Sequence, residues 1–281
     1  MLALLVTALV VAGCSPLGAL NALAEPDASE LDAGIAYGSD PRQRLDVYVP
    51  AKHGGPHPVV LFFFGGSWNS GARADYRFVG EALASRGVLV VIADYRLFPQ
   101  VRYPEFLDDS ARAAAWTLAN ATTRGGDPRR IYVMGHSAGA YNAAMLAFDP
   151  RWVARAGAAS GMFAGFIGLA GPYDFLPIEN REVQPVFFHP DSPRDSQPIL
   201  YANPGSPRSF LAAPERDDLV DPERNTHQLA RKLAASGVAV MYRSYPDVGH
   251  ATLIGAMGRP LRWLAPVLDD VVEFIRSDGR S

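Results

Sequence analysis

The chain has 281 residues, of which 48% are hydrophobic and 20% charged, enough apolar material for one ordinary globular domain with a large core. Its formal net charge is −3 and no basic block or stripe appears, which argues against nucleic acid as a partner. A single cysteine excludes an intrachain disulfide.

In chain order, residues 2–13 are almost wholly apolar and too short to span a bilayer, so they read as the core of a signal peptide covering residues 1–13. The string Val11-Ala12-Gly13-Cys14 resembles the lipobox of bacterial lipoproteins. That resemblance implies lipidation of Cys14, a membrane partner through the lipid, and a place in the bacterial cell envelope. Ser15 after the cysteine points, by the same resemblance, to the periplasmic side of the outer membrane. No Lys or Arg precedes the apolar run. Residues 14–33 hold small residues, a proline and acids without alternation, and read as a tether. The domain is then expected over 34–281.

Within it, strand and helix signals alternate. Residues 45–49 form a short alternating strand. The run PVVLFFF at 58–64 is continuous and apolar, as for a strand buried on both faces. A helix is predicted near 74–85, stopping at Gly87. A buried strand follows at 88–93, a helix at 108–120, and a strand at 131–134 that runs into Gly135. Further strands are predicted at 166–170, 209–213 and 238–244, with a helix at 261–276. Residues 176–205 are rich in Pro and acids without clear period, and read as either a lid or a surface excursion. This order predicts an α/β fold with a mostly parallel sheet and helices on both faces. Its ligand site should lie at the C-terminal strand ends.

Gly135-His136-Ser137-Ala138-Gly139 is a G-x-S-x-G between a predicted strand and a predicted helix. Glycines on both sides let strand and helix approach a tight turn that presents the Ser137 hydroxyl. A serine needs a base to become nucleophilic. Of six histidines, His250 lies in a loop after a strand and downstream of Ser137, whereas His136 reads as packing. The third member should be an acid in a strand-end loop between them. In the loop 214–222, Asp221 before Pro222 reads as a helix N-cap, leaving Asp217 and Asp218, with Asp174 as runner-up. Oxyanion donors are expected from the backbone of Ala138 and of the glycine loop, at Gly66 and Ser67. Trp68, Tyr95 and Tyr173, with Phe98 and Phe175, are candidates to line an apolar substrate pocket. Neither metal-ligand spacing nor a phosphate-binding glycine loop is present, so no metal and no cofactor are expected.

The domain resembles the bacterial carboxylesterases of the α/β-hydrolase superfamily, near the hormone-sensitive-lipase-like esterases and the kynurenine formamidases. The likeness runs from about residue 37 to 275. It is carried by Leu45-Asp46-Val47-Tyr48-Val49-Pro50, Gly65-Gly66-Ser67-Trp68, Asp94-Tyr95-Arg96-Leu97, Gly126-Asp127-Pro128, the Ser137 motif, Gly171-Pro172-Tyr173-Asp174 and Gly249-His250. It implies a Ser-His-Asp acyl-enzyme mechanism on a small ester. The family's acid lies three residues before a valine, which maps onto Asp217 and Val220. Two positions depart from the pattern: Phe64 stands where the family has histidine, and Pro214-Glu215-Arg216 replace small residues. An arylformamidase or peptidase on the same residues, and a non-catalytic binding lipoprotein, are the rival readings.

Overall fold

A computed structural model describes residues 16–25, 27–159 and 161–277. Eight strands make one sheet: β1 (Ser29–Ala36), β2 (Arg44–Pro50), β3 (His57–Phe63), β4 (Leu89–Ala93), β5 (Gly126–His136), β6 (Gly165–Leu169), β7 (Ser209–Pro214) and β8 (Val240–Tyr245). Their spatial order is β1-β2-β4-β3-β5-β6-β7-β8. β2 runs antiparallel to both β1 and β4, and all pairs from β4 to β8 are parallel. The apolar runs explain the centre of this order. All five residues of β4 and of β6 are buried, as are all six of β7, because helices cover both faces.

Eight α-helices accompany the sheet among the described residues: α1 (Pro16–Ala22), α2 (Arg77–Ala84), α3 (Glu105–Asn120), α4 (Ala138–Phe148), α5 (Pro150–Arg155), α6 (Gln228–Ala235), α7 (His250–Gly255) and α8 (Val267–Arg276). α4 is buried along nearly its whole length, so it shows no polar face and little helical periodicity in sequence. This is the mostly parallel α/β arrangement expected from the alternating pattern, and it agrees with the α/β-hydrolase fold that the resemblance implies.

The tether expected over 14–33 is not what the described part of that stretch forms. α1 lies on the domain with Leu20 in the core. The Asn21 side chain donates to the Ala74 carbonyl at 2.8 Å and accepts the Phe78 N–H at 2.9 Å. Glu25 pairs with Arg262, and residues 29–36 add an antiparallel strand beside β2. No residue of β1 is buried and five of its eight are exposed, four of them in succession, so it lacks the apolar alternation that would announce a strand. The segment is held by a few specific bonds rather than by a hydrophobic stripe. Cys14 and the apolar run before it lie outside the described residues.

Residues 176–205 fold into three short 3-10 turns, at Gln184–Phe187, Arg194–Ser196 and Pro198–Tyr201. Val186 and Phe187 are fully buried, and the Tyr103 N–H donates to the Val186 carbonyl at 3.0 Å. The excursion is pinned to the domain by its own apolar residues.

Candidate active site

β5 ends at His136 and α4 begins at Ala138, so the whole reversal falls on Ser137, with φ 54° and ψ −125°. A non-glycine residue in that conformation is strained. The flanking glycines show why it is tolerated. A Cβ on Gly139 would lie 2.0 Å from the Phe63 carbonyl oxygen, and one on Gly135 would lie 2.2 Å from that of Gly139. Strand, turn and helix are in backbone contact, and the Ser137 side chain has one direction left to take, out over the C-terminal edge of the sheet.

There it meets the two other predicted residues. The Ser137 hydroxyl donates to His250 Nε2 at 2.8 Å, and His250 Nδ1–H donates to Asp217 Oδ2 at 2.7 Å. His250 is the first residue of α7, in the turn after β8. Asp217 follows β7. Its other carboxylate oxygen accepts the N–H groups of Leu219 at 2.9 Å and Val220 at 3.0 Å. Burial pushes the Asp217 carboxyl up, but the bonds from His250, Leu219 and Val220 outweigh it and hold the group below its ordinary value. Asp218 is exposed. Asp221 accepts the N–H groups of Glu223 and Arg224, as a cap does. Asp174 sits away from His250, in an ion pair with Arg224 at 3.5 Å.

The glycine loop lies against Ser137, since a Cβ on Gly65 would come 3.0 Å from that of Ser137. Gly66, Ser67 and Trp68 all have positive φ (126°, 50° and 57°), and the Gly66 carbonyl accepts the N–H groups of Asn69 and Ser70 at 3.0 Å each. Ser67 and Ala138 line the same pocket as Ser137, while Gly66 shapes the turn behind it. Ala138, as the first residue of α4, has a backbone N–H with no partner inside the helix.

The pocket beside Ser137 holds about 340 Å3. Trp68, Phe175, Ile178 and Val183 form its apolar side, and Asp174, Arg224 and Asn225 its polar side. Trp68 is therefore placed as the sequence suggests, with its indole N–H donating to Asn142 Oδ1 at 2.9 Å. Tyr95 and Tyr173 do not line the pocket; both are wholly buried. Tyr95 stacks beneath Phe64 with ring centroids 4.8 Å apart and donates its hydroxyl to the Phe64 carbonyl at 2.8 Å, so it supports the glycine loop from below. Phe64 thus joins the aromatic floor. Phe98 does not line the pocket either.

Two residues escape the sequence reading. Asn225 accepts the N–H groups of Tyr173 at 2.7 Å and Asp174 at 2.9 Å, and donates to the Asp221 carbonyl at 3.0 Å. It ties the loop after β6 to the loop after β7, a role no short motif announces. His136 is the other. Besides packing, its Nε2–H donates to the His250 carbonyl at 2.9 Å. Burial first, and then the neighbouring His250, push its imidazole down to about 3, so it is neutral in the folded chain. Among the described residues no group of three or more acidic, His or Cys side chains is arranged to hold a metal.

The geometry can be set beside known proteins. The sequence model of the family described as BD-FAE matches residues 45–233, and the chain belongs to that family. It is 42% identical over 116 residues to a probable isoprenylcysteine alpha-carbonyl methylesterase of Oryza sativa subsp. japonica, covering 41% of this chain and 27% of that one. It is 32% identical over 238 residues to esterase LipC of Mycobacterium tuberculosis, covering 77% of this chain and 58% of LipC. The chain thus spans less than two thirds of the length of either relative. Among solved structures, it superposes on EstE1, a carboxylesterase cloned from a metagenomic library, with a TM-score of 0.75 at 20% identity, over 94% of both chains. It superposes equally on an esterase of Pyrobaculum calidifontis, with a TM-score of 0.75 at 22% identity, over 94% of this chain and 90% of that one. These likenesses are of fold.

Proposed function

We propose that this chain is a serine hydrolase that cleaves small carboxylic esters through an acyl-enzyme. The observation that carries the reading is the unbroken chain of hydrogen bonds from Ser137 through His250 to Asp217, at 2.8 and 2.7 Å. The Ser137 oxygen attacks the ester carbonyl carbon while His250 Nε2 takes its proton. Asp217, ionised and fixed by two backbone N–H groups, holds the His250 tautomer and stabilises the imidazolium. The N–H groups of Ala138 and of the loop at Gly66 and Ser67 receive the developing oxyanion. His250 then gives its proton to the leaving alcohol. Water, deprotonated by the same imidazole, attacks the acyl carbon, and the acid leaves as Ser137 regains its proton. The modest, partly apolar pocket beside Ser137 favours a short acyl group. The esterase names of the relatives support the same class of substrate.

The test is hydrolysis of p-nitrophenyl acetate and butyrate by residues 15–281, beside Ser137→Ala, with labelling by a fluorophosphonate probe. Turnover and labelling that both vanish in the variant are expected. A wild type that neither turns over nor labels overturns the reading in favour of a binding protein. Activity confined to N-formylarylamines or peptides would move it to the arylformamidase or peptidase reading.

We further propose that Cys14 carries a lipid that holds the chain in the bacterial envelope, on the strength of Val11-Ala12-Gly13-Cys14. Metabolic labelling with an alkynyl fatty acid should mark the full chain, and Cys14→Ser should abolish the mark.

A further inference from the structure

We propose that His136 is a positioning residue that fixes the backbone of His250, and with it the base, against the nucleophile turn. The inference rests on the serine hydrolase reading above.

His136 lies immediately before Ser137 and is only 4% exposed. Its ring faces that of His250, with centroids 4.9 Å apart and planes tilted by 47°. The bond at 2.9 Å runs to the main-chain carbonyl of His250, not to its ring. A carbonyl only accepts, so the proton must sit on His136 Nε2, and Nδ1 is left with a lone pair. That Nδ1 is buried without a hydrogen-bond partner. A Cβ on Gly65 would come within 3.1 Å of it, which places it against the backbone of the glycine loop. One uncharged ring therefore touches three parts of the site: it belongs to the nucleophile turn, it bonds the segment that carries the base, and it lies against the loop that supplies oxyanion donors.

The consequence for His250 is mechanical. Its side chain is tied to Asp217 and Ser137, and its backbone is tied to the residue next to Ser137. α7 is only six residues long, and the loop ahead of it is anchored by the Gly249 N–H donating to Thr252 Oγ1 at 2.8 Å. Without the bond from His136, the start of α7 can shift relative to Ser137 while the Asp217 contact follows it. His136 does not line the pocket, so its loss should act on the chemical step and leave substrate binding alone.

The test uses His136→Phe, which keeps a ring but loses the donor, and His136→Gln, whose amide nitrogen can reach the same carbonyl. In H136F, kcat for p-nitrophenyl acetate should fall about 10- to 100-fold, the scale of a small misplacement of a reacting group. KM should stay within about twofold, because the pocket is untouched. H136Q should recover most of kcat. Full kcat in H136F overturns the proposal, as does a kcat loss that tracks a loss of Tm and is not rescued by Gln. A wild type that neither turns over nor labels overturns instead the hydrolase reading. A second measurement needs no variant to fold: 15N spectra of the wild-type imidazoles should show His136 neutral and protonated on Nε2 at pH 7. The Nδ1–H tautomer there excludes the bond and the proposal with it.

Discussion

The ring of Phe187 meets the indole of Trp68 edge-on, with centroids 4.9 Å apart. Phe187 also packs against Phe175 and Tyr141, at 5.2 and 5.6 Å. One buried side chain thus ties the irregular excursion to both the glycine loop and the aromatic wall of the pocket. Phe187→Ala should destabilise the chain by about 3–5 kcal/mol, the usual cost of emptying a buried phenylalanine site. It should also raise KM for p-nitrophenyl butyrate. Urea unfolding and steady-state kinetics would check both, and unchanged stability would mean that the excursion moves as a free lid.

The two acids near the pocket should separate cleanly. Asp217→Asn keeps a side chain able to accept the Leu219 and Val220 N–H groups, but removes the charge and favours the wrong His250 tautomer. Its kcat should fall about 10^4-fold, as when the acid of such a triad is neutralised. Asp174→Asn removes a partner of Arg224 and should leave kcat within a few fold, with any change in KM. The reverse pattern would assign the acid to the loop after β6.

The neutral, buried His136 predicts a pH dependence of stability. Its imidazole is pushed down to about 3 in the folded chain, against an ordinary value of about 6.5 in the unfolded one. Between these values the unfolded chain binds a proton that the folded chain refuses. Stability should therefore fall as the pH drops through this window, by up to about 1.4 kcal/mol per pH unit for this one group. Asp217, held below the ordinary carboxyl value, acts lower down: its contribution is present above the unfolded carboxyl value and lost as the pH falls through the folded one. Urea unfolding between about pH 6 and pH 4.5 should show a shallower dependence in H136F than in wild type. Parallel curves would mean that His136 takes up its proton in the folded chain.

Gly139 is predicted to be irreplaceable for the fold. Its added Cβ would lie 2.0 Å from one backbone oxygen and 2.5 Å from another, those of Phe63 and Phe64, and backbone cannot rotate away as a side chain can. Gly139→Ala should cost more than about 4 kcal/mol, in the range of strain forced on a packed backbone. A variant that folds with wild-type Tm would show that β3 and α4 are less tightly set than described.

The sheet is legible because its central strands are buried on both faces and so appear as unbroken apolar runs, as in PVVLFFF. The Ser137 turn is legible because its glycines are demanded by backbone contact, and His250 because it follows the last strand. What is hidden has a common physical cause. β1 is mostly exposed and gains its place from strand pairing, which leaves no side-chain period. α1 docks through two leucines, Leu17 and Leu20, and one asparagine. Tyr95 and Tyr173 sit in motifs beside the site, yet their rings point beneath it, because sequence proximity to a loop does not say which side of the loop a ring packs on. Asn225 and His136 act through single bonds to backbone groups remote in sequence. Asp217 and Asp218 are adjacent: the residues themselves leave both open, the resemblance points to Asp217, and the turn that sends one inward and the other to solvent separates them.

The loop after β7 divides its labour between backbone and side chains. Leu219 and Val220 give their N–H groups to the Asp217 carboxylate, and both residues line the pocket. Any residue except proline offers the same N–H. Side chains at these two positions can therefore be exchanged to reshape the cavity while the carboxylate keeps its setting. Selection, natural or in the laboratory, can explore new pocket shapes there without first disturbing the setting of Asp217.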